Sequence, residues 1–162
     1  MQTAEQEYRS ISSVVDAISH GKTTAKAVTQ QYLDAIGELN PEINCYITIN
    51  EKALEQVETL DVGAPYHQLV QAYRLQSLPS SKRGPLFGVA IAVKDQIETK
   101  SIRTTFGSKA CENYVPAQDA TVVRKLREAG AIILGKTTMP DWAIEGMPGR
   151  PTEYLWCVVA FG

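Results

Sequence analysis

Histidine and cysteine are scarce in this sequence and neither sign of charge dominates, and each shortage removes a class of chemistry. The two histidines, His20 and His67, both fall in helix-like stretches and give a Ser-His-Asp or Cys-His arrangement little to build on. The three cysteines, Cys45, Cys111 and Cys157, are odd in number and far apart, which suits neither a disulfide framework nor a zinc site with close ligand spacing. Reduced, mostly buried thiols are expected. The formal net charge is -2 and the basic residues are scattered, so the footprint of a nucleic-acid partner is missing. Residues Met1 to Glu7 are polar and acidic, unlike a secretory signal or an Arg-rich transit peptide, and the expected location is cytoplasmic. The longest apolar finish, Leu155 to Gly162, is too short to span a bilayer.

What is present is ordinary globular material. With 162 residues, 44% hydrophobic and 21% charged, the chain can bury one modest core, as one domain or as part of a larger one. Ile11, Val14, Val15 and Ile18 fall at helical spacing, with Ser10 as cap and Gly21 as terminator. A second helix starts at Thr24, buries Val28, Tyr32, Ala35, Ile36 and Leu39, and is expected to end at Asn40-Pro41. Ile43, Cys45, Ile47 and Ile49 alternate as an extended stretch, and Asn50 caps a helix carrying Leu54, Val57 and Leu60. A further helix is expected to carry Tyr66, Leu69, Val70 and Tyr73, and residues Ser77 to Gly84 read as a surface connection.

The second half alternates strand and helix. Gly88 to Val93 is an apolar strand ending at Lys94. Asp119 is a good cap for a helix with Val122, Val123, Leu126 and Ala129, and Gly130 is its stop. Ala131 to Leu134 is a continuous apolar run, the pattern of a strand covered on both faces. Strand, long loop, helix, strand is the grammar of an α/β sheet, in which ligands collect outside the carboxyl ends of the strands. Lys94 and Lys136 both lie at such ends.

Lys94 is the sharper of the two. A period of two sets Val89, Ile91 and Val93 on one face and Ala90, Ala92 and Lys94 on the other, leaving room for a long side chain among small ones. A lysine acting as a base near neutrality must lose roughly 3 pKa units, about 4 kcal/mol, which demands substantial burial. The competing reading is a strand-end charge that pairs with Asp95 or another neighbour. For Lys136 a solvated or structural amine is favoured, and for Thr104 and Thr105 ordinary turn packing is at least as good as lining a site.

Three phrases carry a resemblance: Gly84-Pro85-Leu86-Phe87-Gly88-Val89-Ala90-Ile91-Ala92-Val93-Lys94-Asp95, Thr104-Thr105-Phe106-Gly107-Ser108, and Asp119 through Thr137. In wording, order and spacing, the stretch from about Ser10 to Ala143 resembles the N-terminal part of the amidase signature family, hydrolases of carbon-nitrogen amide bonds. The resemblance implies N-terminal helices followed by part of a mixed sheet flanked by helices. It assigns Lys94 to the catalytic lysine, which takes a proton from a serine in a cis peptide. That serine activates a second, nucleophilic serine to form an acyl-enzyme, with backbone amides stabilising the oxyanion. No metal or organic cofactor is implied, and the substrate class is a small-molecule amide.

The family carries both serines and the oxyanion amides in a glycine- and serine-rich segment beyond the phrase Lys136 to Ala143, and these 162 residues contain no such segment. Ser80, Ser81, Ser101 and Ser108 sit in no glycine-rich nucleophile elbow and are given no catalytic role. The expected organisation is an N-terminal helical region over residues 1–76, a partial amidase-signature core over 77–143 and a divergent tail over 144–162. The tail reads as non-homologous end sequence from a splice variant, frameshift or misplaced gene boundary, or else as a genuine divergent strand. The chain alone is expected to be inactive. A non-catalytic fragment that self-associates through exposed sheet edges, and a Schiff-base lyase using the same lysine, remain as alternatives.

Overall fold

The computed structural model describes residues 10–60 and 84–140. Within them the order is α1 (Ile11–Ser19), α2 (Ala25–Ile43), β1 (Tyr46–Ile49), α3 (Ala53–Leu60), β2 (Ala90–Lys94), a short 3-10 turn (Lys109–Cys111), α4 (Thr121–Glu128) and β3 (Ile132–Thr137). The three strands form a mixed sheet in the order β1-β3-β2, with β1 antiparallel and β2 parallel to the central β3. The expected α/β class and the partial mixed sheet are therefore both present. The helix expected around Tyr66 to Tyr73, the connection from Ser77 to Arg83 and the tail over residues 144–162 lie outside the described residues.

Local signals explain the helices. Ser10 accepts a hydrogen bond from the Ser13 amide while Ser13 reaches back to the Ser10 amide, a reciprocal capping box that starts α1. The Thr24 hydroxyl accepts from the Ala27 amide at the start of α2. Gly130, at φ +90, stops α4 in a backbone conformation that a side chain would strain, with Phe87 Cα only 3.0 Å from where its Cβ would sit. Both faces of β3 are covered, as its apolar run requires. Ile132 and Leu134 pack with Val57 and Phe87 on the α2/α3 side. Ile133 packs with Val93, Ile102 and Val123 on the α4 side. Each of these fully buried side chains contributes roughly 1.5–3 kcal/mol.

Several expectations are corrected. Helix α2 does not stop at Asn40-Pro41 but continues through Pro41 to Ile43 and ends at Asn44 in the left-handed region. The Asn40 side chain instead ties the helix end to β1, donating to the Tyr46 carbonyl at 3.0 Å and accepting from the Tyr46 amide at 2.7 Å. Leu39, in the expected buried stripe, is 53% exposed. Ile43 is helical, and along β1 it is Tyr46 that is buried while Ile49 is exposed, because a register irregularity between Tyr46 and Thr48 breaks the simple alternation. Asn50, expected to cap α3, stands ahead of it across a turn in which the Ala53 amide donates to the Asn50 carbonyl at 3.0 Å. Its side chain accepts from the Lys52 amide and donates to the Ile133 carbonyl at 2.7 Å, fastening the β1–α3 corner to β3. Asp119 does not cap α4, whose first turn has no side-chain cap. Its carboxylate accepts from the Lys100 amide at 2.7 Å and pairs with Arg127 at 3.1 Å. Val122, expected inside, is 50% exposed, whereas its neighbour Val123 is fully buried.

Candidate functional site

Lys94 is the last residue of β2, and the loop that leaves it is held by the next residue. Asp95 is fully buried. Its carboxylate accepts the Thr105 amide at 3.0 and 3.1 Å, the Thr105 hydroxyl, and the Gly107 amide at 3.4 Å. Its own backbone continues the sheet by donating to the Thr137 carbonyl at 3.2 Å, and its carbonyl accepts the Phe106 amide. One carboxylate thus folds the Thr104 to Gly107 phrase back over the carboxyl end of β2. Donors from backbone and side chain satisfy the charge in a dry setting.

Lys136 provides the second anchor. The strand is longer than its apolar run suggests and includes Gly135, Lys136 and Thr137. Consecutive β2 residues Ile91 and Ala92 pair with Ile133 and Gly135, so Leu134 is bulged out of the count. That extra residue changes the parity of β3. Lys136 then pairs with Val93 and joins the face of Ile91 and Val93, while Lys94, paired with Thr137, falls on the face of Ala90 and Ala92. Gly135 makes the shift possible, because a Cβ there would lie 2.2 Å from the Thr48 carbonyl oxygen of β1. Lys136 is 0% exposed. Its amine donates to the Ile97 carbonyl and, at 2.8 Å, to the Thr104 hydroxyl. Burial lowers its pKa from 10.5 to about 8, with Asp95 and Glu98 opposing the shift.

The strand ends bring Lys94, Asp95, Thr104, Thr105 and Lys136 into one small region, but with different exposure. Lys94 is partly exposed and on the opposite face from Lys136. The solvated reading of Lys136 is overturned: closed off from solvent, the amine is a buried structural group. The Lys136–Thr104 pair has the spacing of a base and a hydroxyl nucleophile, yet Thr104 donates its proton to the Ile102 carbonyl and is itself fully buried. It serves as an acceptor. Thr104 and Thr105 therefore lie beneath the loop and bind its anchors. Sequence reasoning missed the Asp95 cradle and the burial of Lys136. The signal available for the second was Gly135, a glycine inside a strand, which often marks a bulge or a close backbone approach. His20 stands at the C-cap of α1 with its ring 2.7 Å from the Asp16 carbonyl, rather than inside the helix. Ser101 is exposed, and Ser108 precedes the 3-10 turn. His67, Ser80, Ser81 and Cys157 lie outside the described residues; Cys45 is buried and Cys111 partly so, neither in a disulfide.

A parallel strand pair joined through a helix, with a partly exposed lysine at the carboxyl end of one strand, places the chain among α/β proteins whose sites open at strand ends. The chain belongs to the amidase family, whose model, described as Amidase, matches residues 27–147. It is 39% identical over 147 residues to the A subunit of glutamyl-tRNA(Gln) amidotransferase from Methanosarcina barkeri, a match covering 91% of this chain and 26% of that protein. The corresponding protein of Thermus thermophilus is 34% identical over 85% of this chain and 24% of its own length. Among solved structures, the native peptide amidase of Stenotrophomonas maltophilia superposes with a TM-score of 0.67 at 31% identity, over 86% of this chain and 26% of that one. The chain spans about a quarter of the length of the curated relatives it matches. No helix among the described residues is long and apolar enough to cross a membrane.

Proposed function

We propose that these residues are the lysine-bearing quarter of an amide hydrolase of the Ser/cis-Ser/Lys kind, with Lys94 as the proton acceptor. The observation that carries the reading is the setting of Lys94. It ends a strand at the edge of the described sheet beside the central β3, its backbone is held by the Asp95 cradle, and its side chain is partly open to solvent. A base must reach a hydroxyl brought by another segment, and a lysine sealed like Lys136 could not. The resemblance implies two serines and oxyanion amides in a segment that these 162 residues do not contain. The named relatives divide between amidotransferases and a peptide amidase, so the reading commits to the amide bond and to no particular substrate.

By itself the 162-residue polypeptide is expected to hydrolyse no amide, since a lone base has nothing to activate. Short aliphatic and aromatic amides incubated with the purified chain, with Lys94→Ala as control, test this directly: turnover that depends on Lys94 would refute it. Fused to the remaining three-quarters of an amidase relative, the chain is expected to support hydrolysis. Lys94→Ala should then lower kcat by about a hundredfold to ten-thousandfold.

A second reading rests on the sheet. Strands β1 and β2 are both edges of the described sheet, and Ala92 is exposed on β2. Open edges are templates for strand addition, so non-catalytic self-association is the competing function. Its mark is a concentration-dependent rise in mass in sedimentation equilibrium that Lys94→Ala leaves untouched.

A further inference from the structure

Two lysines stand at the ends of paired parallel strands, and the proposed chemistry uses only Lys94. Lys136 is nevertheless the more deeply placed, and among the described residues it makes no ion pair. Such a group needs a reason, because an ammonium taken out of water is costly and Asp95 and Glu98 offset that cost only in part. Its two contacts supply one. They grip a single loop at Ile97 and at Thr104, on either side of the Ile102 side chain that packs with Val93 and Ile133.

The grip at Ile97 leads straight to Lys94. The Ile97 amide donates to the Lys94 carbonyl at 2.9 Å, closing the turn by which the chain leaves β2, while the Ile97 carbonyl accepts from Lys136. Both sides of residue 97 are therefore fixed, one to Lys94 and the other to Lys136. The Asp95 cradle holds the far end of the same loop at Thr105 and Gly107. Without Lys136, the Ile97 carbonyl would keep the Thr99 hydroxyl at 3.0 Å, a partner within the loop itself, and lose its tie to β3.

We propose that Lys136 is a positioning residue for Lys94, pinning the Asp95 to Gly107 loop from the opposite face of the sheet so that the Lys94 backbone is held in one place. The proposal rests on the reading of Lys94 as the base, since only a working lysine needs so strict a mount. The two acceptors match the two N–H bonds of a neutral amine as well as they match an ammonium, so the pin does not depend on charge. The charged groups that act on Lys136 are Asp95 and Glu98, both on the loop it holds.

Nuclear magnetic resonance of the full 162-residue chain, labelled at the lysine ε carbons and at backbone nitrogen, tests the coupling. The Lys94 ε signal is assigned by its loss in Lys94→Arg. In the wild type the Glu98 amide, whose nitrogen shares a peptide group with the Ile97 carbonyl that Lys136 bonds, is expected to show an inflection centred near pH 8, where Lys136 titrates. In Lys136→Met the inflection should vanish and the Lys94 ε signal should move, while most other amide signals stay in place. Should Lys136→Met fail to fold, Thr104→Val removes one of the two contacts and should displace the same signals by less. A Glu98 amide without a wild-type inflection, or a Lys94 signal unmoved in a folded variant, would overturn the proposal. These outcomes are separate from catalysis: a Lys94-independent amidase fusion would sink the reading of Lys94 and leave the measured coupling standing.

Discussion

The carboxyl ends of β2 and β3 make an instructive pair. Each delivers a lysine out of an apolar strand, the two strands are hydrogen-bonded neighbours, and each lysine lies within one residue of its strand's last position. One amine is sealed and holds a loop; the other is partly open and faces the opposite way. A single bulged residue, Leu134, separates the two outcomes by changing which face Lys136 occupies. The lesson is that a lysine's chemistry follows from its face and its cover rather than from its place at a strand end.

The comparison can be broken most severely at Asp95. Asp95→Ala leaves the Thr105 amide and hydroxyl without their carboxylate in a buried setting, and a loss of about 4 kcal/mol is expected from these two unsatisfied donors. Urea unfolding of the variant against wild type measures it, and a loss below about 1 kcal/mol would show that the cradle is dispensable.

The next effect belongs to Lys136 and depends on pH. Its folded-state pKa, about 8, lies below the ordinary 10.5, so on alkaline titration the folded chain releases this proton before the unfolded chain does. Below about pH 8 both states carry the charge and its burial costs stability in full. Between about 8 and 10.5 stability contributed by this group rises with pH, by roughly 3 kcal/mol in all. The difference between wild-type and Lys136→Met unfolding free energies across that window isolates the group. A flat difference would place the amine in water.

The smallest effect sharpens the contrast. Lys94→Met, at the partly open end, is expected to change stability by less than about 1 kcal/mol and to leave the alkaline rise of Lys136 intact. Thermal unfolding at two pH values checks both halves. A large loss would mean that Lys94, too, is chiefly structural.

Much of this architecture was legible beforehand, for local reasons. Ser10 and Thr24 cap helices because their hydroxyls accept from amides three positions on, which depends on nothing distant. The run Ala131 to Leu134 reads as a doubly covered strand because only such a strand has no polar face. Errors arose where a side chain found a remote partner. Asn40 and Asp119 resemble a helix stop and a helix cap in sequence, but Asn40 binds the Tyr46 backbone and Asp119 binds Lys100 and Arg127. Val122 and Val123 are indistinguishable by composition, and only the position of β3 beneath α4 decides which is buried.

The sequence by itself determined the membership of the amidase family, the order of helices and strands around the strand end, and the lysine at the close of β2. These follow from residue type and spacing along the chain. Only the tertiary structure decided the different settings of Lys94 and Lys136, because it required the approach of the Thr48 carbonyl to Gly135, the bulge at Leu134 and the return of Ile97 and Thr104 over β3. Burial and hydrogen-bond partners are properties of what meets in space, and no local pattern encodes them.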